Sequence, residues 1–195
     1  LSLSNALASP PTNMHMHGLH VSPAEDDTFA QVPAGGRRSY SYTLPDDHHA
    51  GTFWYHPHAH PEQAEQAGAG AFGLVIVEDA PRALPAALGG LEELALVMHH
   101  ITLGDGATRS PAIAGGASLT PRRGMVLLDG QGRPLVAAMV AGRWYRWRLL
   151  FVAVNAILEP RLPSECETLL LAKDGIYLSD GPRRVSAAFL APGSR

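Results

Sequence analysis

The 195-residue chain has a single cysteine, so no disulfide can form within it. As a metal thiolate, Cys166 would want histidines beside it, yet its neighbours are Pro163, Ser164, Glu165, Glu167 and Thr168. It reads as an ordinary half-buried residue. Basic residues are sparse. The formal net charge is -3, and Arg37-Arg38, Arg122-Arg123 and Arg183-Arg184 are isolated pairs, which excludes a nucleic-acid partner on electrostatic grounds. No apolar run reaches the length of a membrane span, so no membrane partner is expected. Helix signals are poor, and no internal repeat is found. No methionine, charged segment or cleavage pattern opens the chain. Leu1-Ser2-Leu3-Ser4-Asn5 alternates apolar and polar like a half-buried strand, so the chain reads as one entered in mid-domain.

What is present points to strands. Hydrophobic residues are 46% and charged residues 17%, a balance that excludes disorder and allows a buried core. Ser39 to Leu44 alternates with aromatic and β-branched residues. Ala71 to Val77, Leu94 to Ile101 and Trp144 to Phe151 are short apolar runs, as in strands covered on both faces. Thr168 to Ala172 and Val185 to Leu190 read the same way. Glycine and proline (20 and 16 residues) fall between these runs as turn punctuation. The expected class is all-β, a sandwich or barrel. A Pro/Ala stretch over 81–90, ending in Gly89-Gly90, reads as a linker, with a short helix from Pro85 to Leu88 as the alternative. It divides the chain into residues 1–80 and 91–195. A further loop is expected from Gly104 to Gly124.

Ten histidines are present, and eight lie between His15 and His60. His15 and His17 flank Met16; His56, His58 and His60 are also spaced by two. On a strand such residues share a face, with Cα atoms roughly 6.5–7 Å apart. Two imidazoles so placed do not easily hold one metal unless the strand bends, but they can reach two neighbouring metals. A pair of such motifs on adjacent strands makes a multinuclear site. Imidazole suits copper, zinc, nickel and iron, and the lack of a closed Cys/His set speaks against structural zinc. His48-His49 reads as a loop pair and His99-His100 as ordinary strand residues.

Thr12-Asn13-Met14-His15-Met16-His17-Gly18-Leu19-His20 resembles the first copper motif of multicopper oxidases. Gly51-Thr52-Phe53-Trp54-Tyr55-His56-Pro57-His58-Ala59-His60 resembles the second. Val32 to Arg37, Tyr40 to Leu44 and Gly73 to Asp79 resemble further first-domain landmarks of that family. Arg146 to Leu150, Ala172 to Gly175 and Ala191 to Arg195 resemble second-domain ones. The nearest group is that of bacterial laccases and copper-efflux oxidases. The resemblance implies two cupredoxin-like Greek-key barrels, nearly complete over 1–80 and partial over 91–195. It implies that His15 binds the type-2 copper, His17 and His56 one type-3 copper, and His58 the other, with His60 in an outer role. It gives Asp26 a part in proton delivery during oxygen reduction; a solvated acidic loop of Glu25, Asp26 and Asp27 is the competing reading.

The resemblance also defines what is missing. The family's full site takes eight histidines from two domains, together with a type-1 copper held through a His-Cys-His and a His-Pro-x-His-x-His motif. Neither motif occurs here. The implied function is therefore that of a laccase-like oxidase, or part of one, with dioxygen and a phenolic or metal-ion reductant as partners. The rest of the oxidase, or a second copy of the chain, would complete the site. The alternatives are a small copper-binding or storage protein and a reduced-copper oxidase assembled from several chains. A periplasmic or extracellular location follows by resemblance, and a barrel short of strands is expected to associate or to rearrange its edges.

Overall fold

A computed structural model describes residues 1–81, 83–102, 124–132 and 137–195. The loop expected from Gly104 to Gly124, apart from Gly124 itself, Arg82 of the expected linker and the Arg122-Arg123 pair lie outside the described residues. Among the described residues the regular elements are strands, with one short helix, as the alternating runs require. In order they are β1 (Ser2–Ser4), β2 (His15–His17), β3 (Arg37–Ser39), β4 (Gly51–His56), α1 (Gln63–Gly68), β5 (Gly73–Val77), β6 (Glu92–Thr102), β7 (Gly124–Leu128), β8 (Tyr145–Val152), β9 (Leu169–Leu170), β10 (Ala172–Lys173), β11 (Ile176–Tyr177) and β12 (Arg183–Arg184). Two three-stranded sheets dominate, ordered β2-β4-β5 and β7-β6-β8; β1-β3, β9-β12 and β10-β11 are two-stranded pairs. Strand β8 runs parallel to β6, and the other pairings are antiparallel.

The apolar runs account for the core. Residues 51–54 of β4 are buried, and Trp54 packs with Leu150 and Val152 of β8, with Phe72, Leu74 and Val97 around them. The strand that leads into the second histidine motif is thus backed by the second large sheet. A second cluster joins Met98, Phe151 and Leu190. Polar bonds reinforce this contact. Arg148, only 6% exposed, donates to both carboxylate oxygens of Glu93 (2.8 and 3.1 Å) and to Thr52 Oγ1 (3.1 Å). Arg146 and the Tyr177 hydroxyl both donate to Asp79 at 2.7 Å.

Several local expectations need correction. The run from Ser39 to Leu44 does not continue as a strand: β3 ends at Ser39. Side chains hold the rest. Tyr40 stacks on Tyr42, the Tyr40 hydroxyl accepts the Met14 N–H, and Glu25 accepts the Thr43 N–H and hydroxyl. Val185 to Leu190 makes only isolated bridges, Arg161–Ala187 and Leu158–Leu190. The stretch around Pro85 forms turns, with Leu88 and Gly89 N–H groups bonded to the Pro85 carbonyl, and no helix. Cys166 is exposed, not half-buried. Helix α1 was not expected; its buried Gln66 donates to the Pro11 carbonyl and accepts from Thr12 Oγ1.

Candidate metal centre

Antiparallel pairing of β2 with β4 sets His15 opposite His56 and His17 opposite Trp54. Met16, between the two histidines, points away and is buried. The Trp54 ring stacks on both His17 and His56, at 5.1 and 4.2 Å between centroids, which fixes the tilt of both imidazoles. After β4 the chain turns through Pro57, and the His58 N–H is held by Asn13 Oδ1 at 2.6 Å. The His58 ring then stands 5.2 Å from that of His15.

Three of the four expected residues converge fully. One ligand nitrogen from each of His15, His17 and His56 lies within 4.8 Å of the others. His17 Nδ1 and His56 Nε2 are 3.1 Å apart. Two imidazole nitrogens about 2.0–2.1 Å from one tetrahedral ion stand roughly 3.3 Å apart, so this pair fits a shared metal. His58 adjoins the group through its ring but is outside the three-nitrogen set. His60 is exposed, and among the described residues its ring meets that of His58, at 5.4 Å.

Hydrogen bonds select the free nitrogens. The Asp26 carboxylate accepts from His15 Nδ1 at 2.7 Å and from the Met16 N–H at 3.0 Å. With its side chain 9% exposed, Asp26 is no solvated loop acid. His56 Nδ1 donates to the Pro57 carbonyl at 2.9 Å. Both contacts leave Nε2 as the bare nitrogen, the arrangement by which outer partners orient metal-binding imidazoles. Burial is the main force on His17 and His56; at His17 the Arg195 cation and the neighbouring imidazoles add to it, and at His56 the hydrogen bond to the Pro57 carbonyl opposes it while the His15 and His58 imidazoles add to it. The net effect lowers both from 6.5 to about 4, so both are neutral at neutral pH, the form that binds metal.

Residues far along the chain close one side, and sequence reasoning did not place them there. A cleft of about 430 Å³ is lined by His15, His17, Gly18, Asp174 and residues 191–195. The Arg195 guanidinium donates to the carbonyls of Thr52, Gly193 and Asp174. A Cβ at Gly18 would lie 2.4 Å from it, so only glycine admits this contact. His48 and His49 gather with His20 beside Phe53, separately from this group. His99, on β6, is buried against Phe72 with its Nε2 unpartnered among the described residues.

Residues 1–82 match the family model described as "Multicopper oxidase". The chain is 26% identical to Laccase-1 of Thanatephorus cucumeris, over all of this chain and 36% of that protein. It is 35% identical to a multicopper oxidase of Staphylococcus haemolyticus over 36% of this chain and 16% of that one. Among solved structures, a multi-copper oxidase from Pseudomonas thermotolerans superposes with a TM-score of 0.71 at 26% identity, over 99% of this chain and 45% of that one. The fold is accordingly cupredoxin-like. The chain spans 36% of the length of the Thanatephorus laccase and 45% of that of the solved Pseudomonas oxidase.

Proposed function

We propose that the chain is a multicopper oxidase, as the match of residues 1–82 supports, and that it supplies half of a trinuclear copper cluster in a laccase-like oxidase. The observation that carries this reading is the convergence of nitrogens from His15, His17 and His56 within 4.8 Å. His17 and His56 would hold one type-3 copper, His15 the type-2 copper, and His58 the second type-3 copper. Bound there, copper supplies the one-electron chemistry that reduces dioxygen to water with four electrons. The protein's own residues do the rest. Asp26 orients His15 through Nδ1 and keeps an ionisable oxygen beside the cluster, where it can pass protons toward reduced oxygen. Trp54 holds two rings at a fixed tilt. The cleft bounded by residues 191–195 gives dioxygen and water a way in.

The reductant, a phenol or a metal ion, is oxidised elsewhere, because the His-Cys-His acceptor motif does not occur in these residues. The acceptor comes from the rest of the oxidase, and the remaining ligands come from it or from a second copy. In this reading residues 1–80 and 91–195 are two cupredoxin-like domains joined by 81–90, working in the periplasm or outside the cell.

Copper content and intact mass, measured on one purified sample and followed by oxygen uptake with a phenol, test the proposal. Copper with oxygen uptake in a polypeptide of larger mass is the expected result. Copper without uptake in a chain of 20.7 kDa indicates the alternative, a copper-binding protein without oxidase activity, which three nitrogens within one chain would suffice to build. No copper after reconstitution overturns both.

A further inference from the structure

Three more imidazoles stand together outside the first group. His20 lies in the loop after β2, while His48 and His49 lie in the loop before β4. Their ring centroids are 5.3 Å (His20–His48), 5.0 Å (His20–His49) and 5.1 Å (His48–His49) apart. Phe53, 1% exposed, meets His48 and His49 edge-on at 5.4 and 5.5 Å and forms an apolar floor. None of these three rings packs against a ring of the first group among the described residues.

The three histidines are not equivalent. His48 is fully engaged: its Nε2 accepts the His20 backbone N–H at 3.0 Å, and its Nδ1 donates to the His49 carbonyl at 2.8 Å. It ties the two loops together. The ring nitrogens of His20 and His49 make no hydrogen bond among the described residues, and His49 Nε2 is buried without a partner. A buried polar atom in that state calls for an explanation. Neutral imidazole donors favour borderline transition metals over the hard cations calcium and magnesium, and among divalent ions they bind Cu(II) most strongly.

We propose that His20 and His49 form a second metal site, which takes a transition-metal cation of the Cu(II) class with water in the remaining positions, and that His48 is its positioning residue. The site does not depend on the copper cluster assigned above. Cu(II) is titrated into the metal-free protein, followed by electron paramagnetic resonance and calorimetry. With the first group disabled by His15→Ala and His17→Ala, a nitrogen-coordinated Cu(II) signal is expected to remain; adding His20→Ala and His49→Ala is expected to abolish it. Identical copper binding with and without His20 and His49 overturns the proposal. His20 is exposed, so His20→Ala alone gives the same comparison if replacement of His49 prevents folding. His48→Ala is expected to weaken this site by roughly 10–100-fold and leave the first group's copper unchanged; an equal loss at both groups would show a general structural effect and overturn the positioning role.

Discussion

Asp26 holds the His15 ring through Nδ1 and the Met16 amide with its other oxygen, so one carboxylate sets both an imidazole tautomer and the course of β2. Asp26→Asn keeps the shape but removes the charge. Copper affinity is expected to fall by roughly 10–100-fold, as read by competition with a chelator of known affinity; a change below twofold would contradict this role. The acid's place was only half legible in the sequence. Its spacing from His15 was suggestive, but a loop of three acids looks the same whether or not one folds inward. His17 and His56 make a pH prediction. Both are lowered to about 4 in the folded protein, from 6.5. Between these values the unfolded chain binds more protons than the folded one, so stability rises with pH across this window. Their contribution is complete above about pH 6.5 and lost as pH falls toward 4. The melting temperature of the metal-free protein should therefore drop over that range, and drop less in His17→Asn. Parallel curves for the two proteins would count against it.

At the scale of elements, the His-x-His spacing was readable because alternation along a strand is a local rule. The bracing of the motifs was not, because it depends on loops distant in sequence. Asn13 is 2% exposed and links the start of β2 to the turn after β4: it accepts the His58 N–H and donates to the Thr28 carbonyl at 2.7 Å. Asn13→Ala leaves two part-buried groups unpaired and is expected to cost about 1–3 kcal/mol in urea unfolding. An unchanged midpoint would mean that water replaces both bonds. Strand β4 is equally constrained at Gly51. A Cβ there would lie 2.2 Å from the Gly175 carbonyl oxygen, backbone that cannot step aside as a side chain can. Gly51→Ala should cost about 1–3 kcal/mol, whereas at Gly73 the obstacle is the Tyr55 side chain, which can rotate. Comparing the two variants by thermal melting checks the distinction.

For the whole molecule, the all-β class was legible from its apolar runs and turn residues. The way its two large sheets meet was not. Arg146 and Arg148 looked like family landmarks in the sequence; in three dimensions they fasten β8 to Asp79, Glu93 and Thr52. Arg146→Ala leaves Asp79 and Tyr177 without their cation. Because Asp79 keeps 15% of its side-chain surface exposed, the loss is expected near 2 kcal/mol, short of the figure for a fully buried pair. Stability intact within about 0.5 kcal/mol would show that the contact is not energetically coupled. The pairing of His15 with His56 has one more consequence. A slip of one residue between β2 and β4 would turn every side chain of the slipped strand to the opposite face, and the nitrogens would no longer meet. A cation held between these strands therefore rewards only the correct alignment, acting during folding as an inspector of strand registration before it takes part in any chemistry.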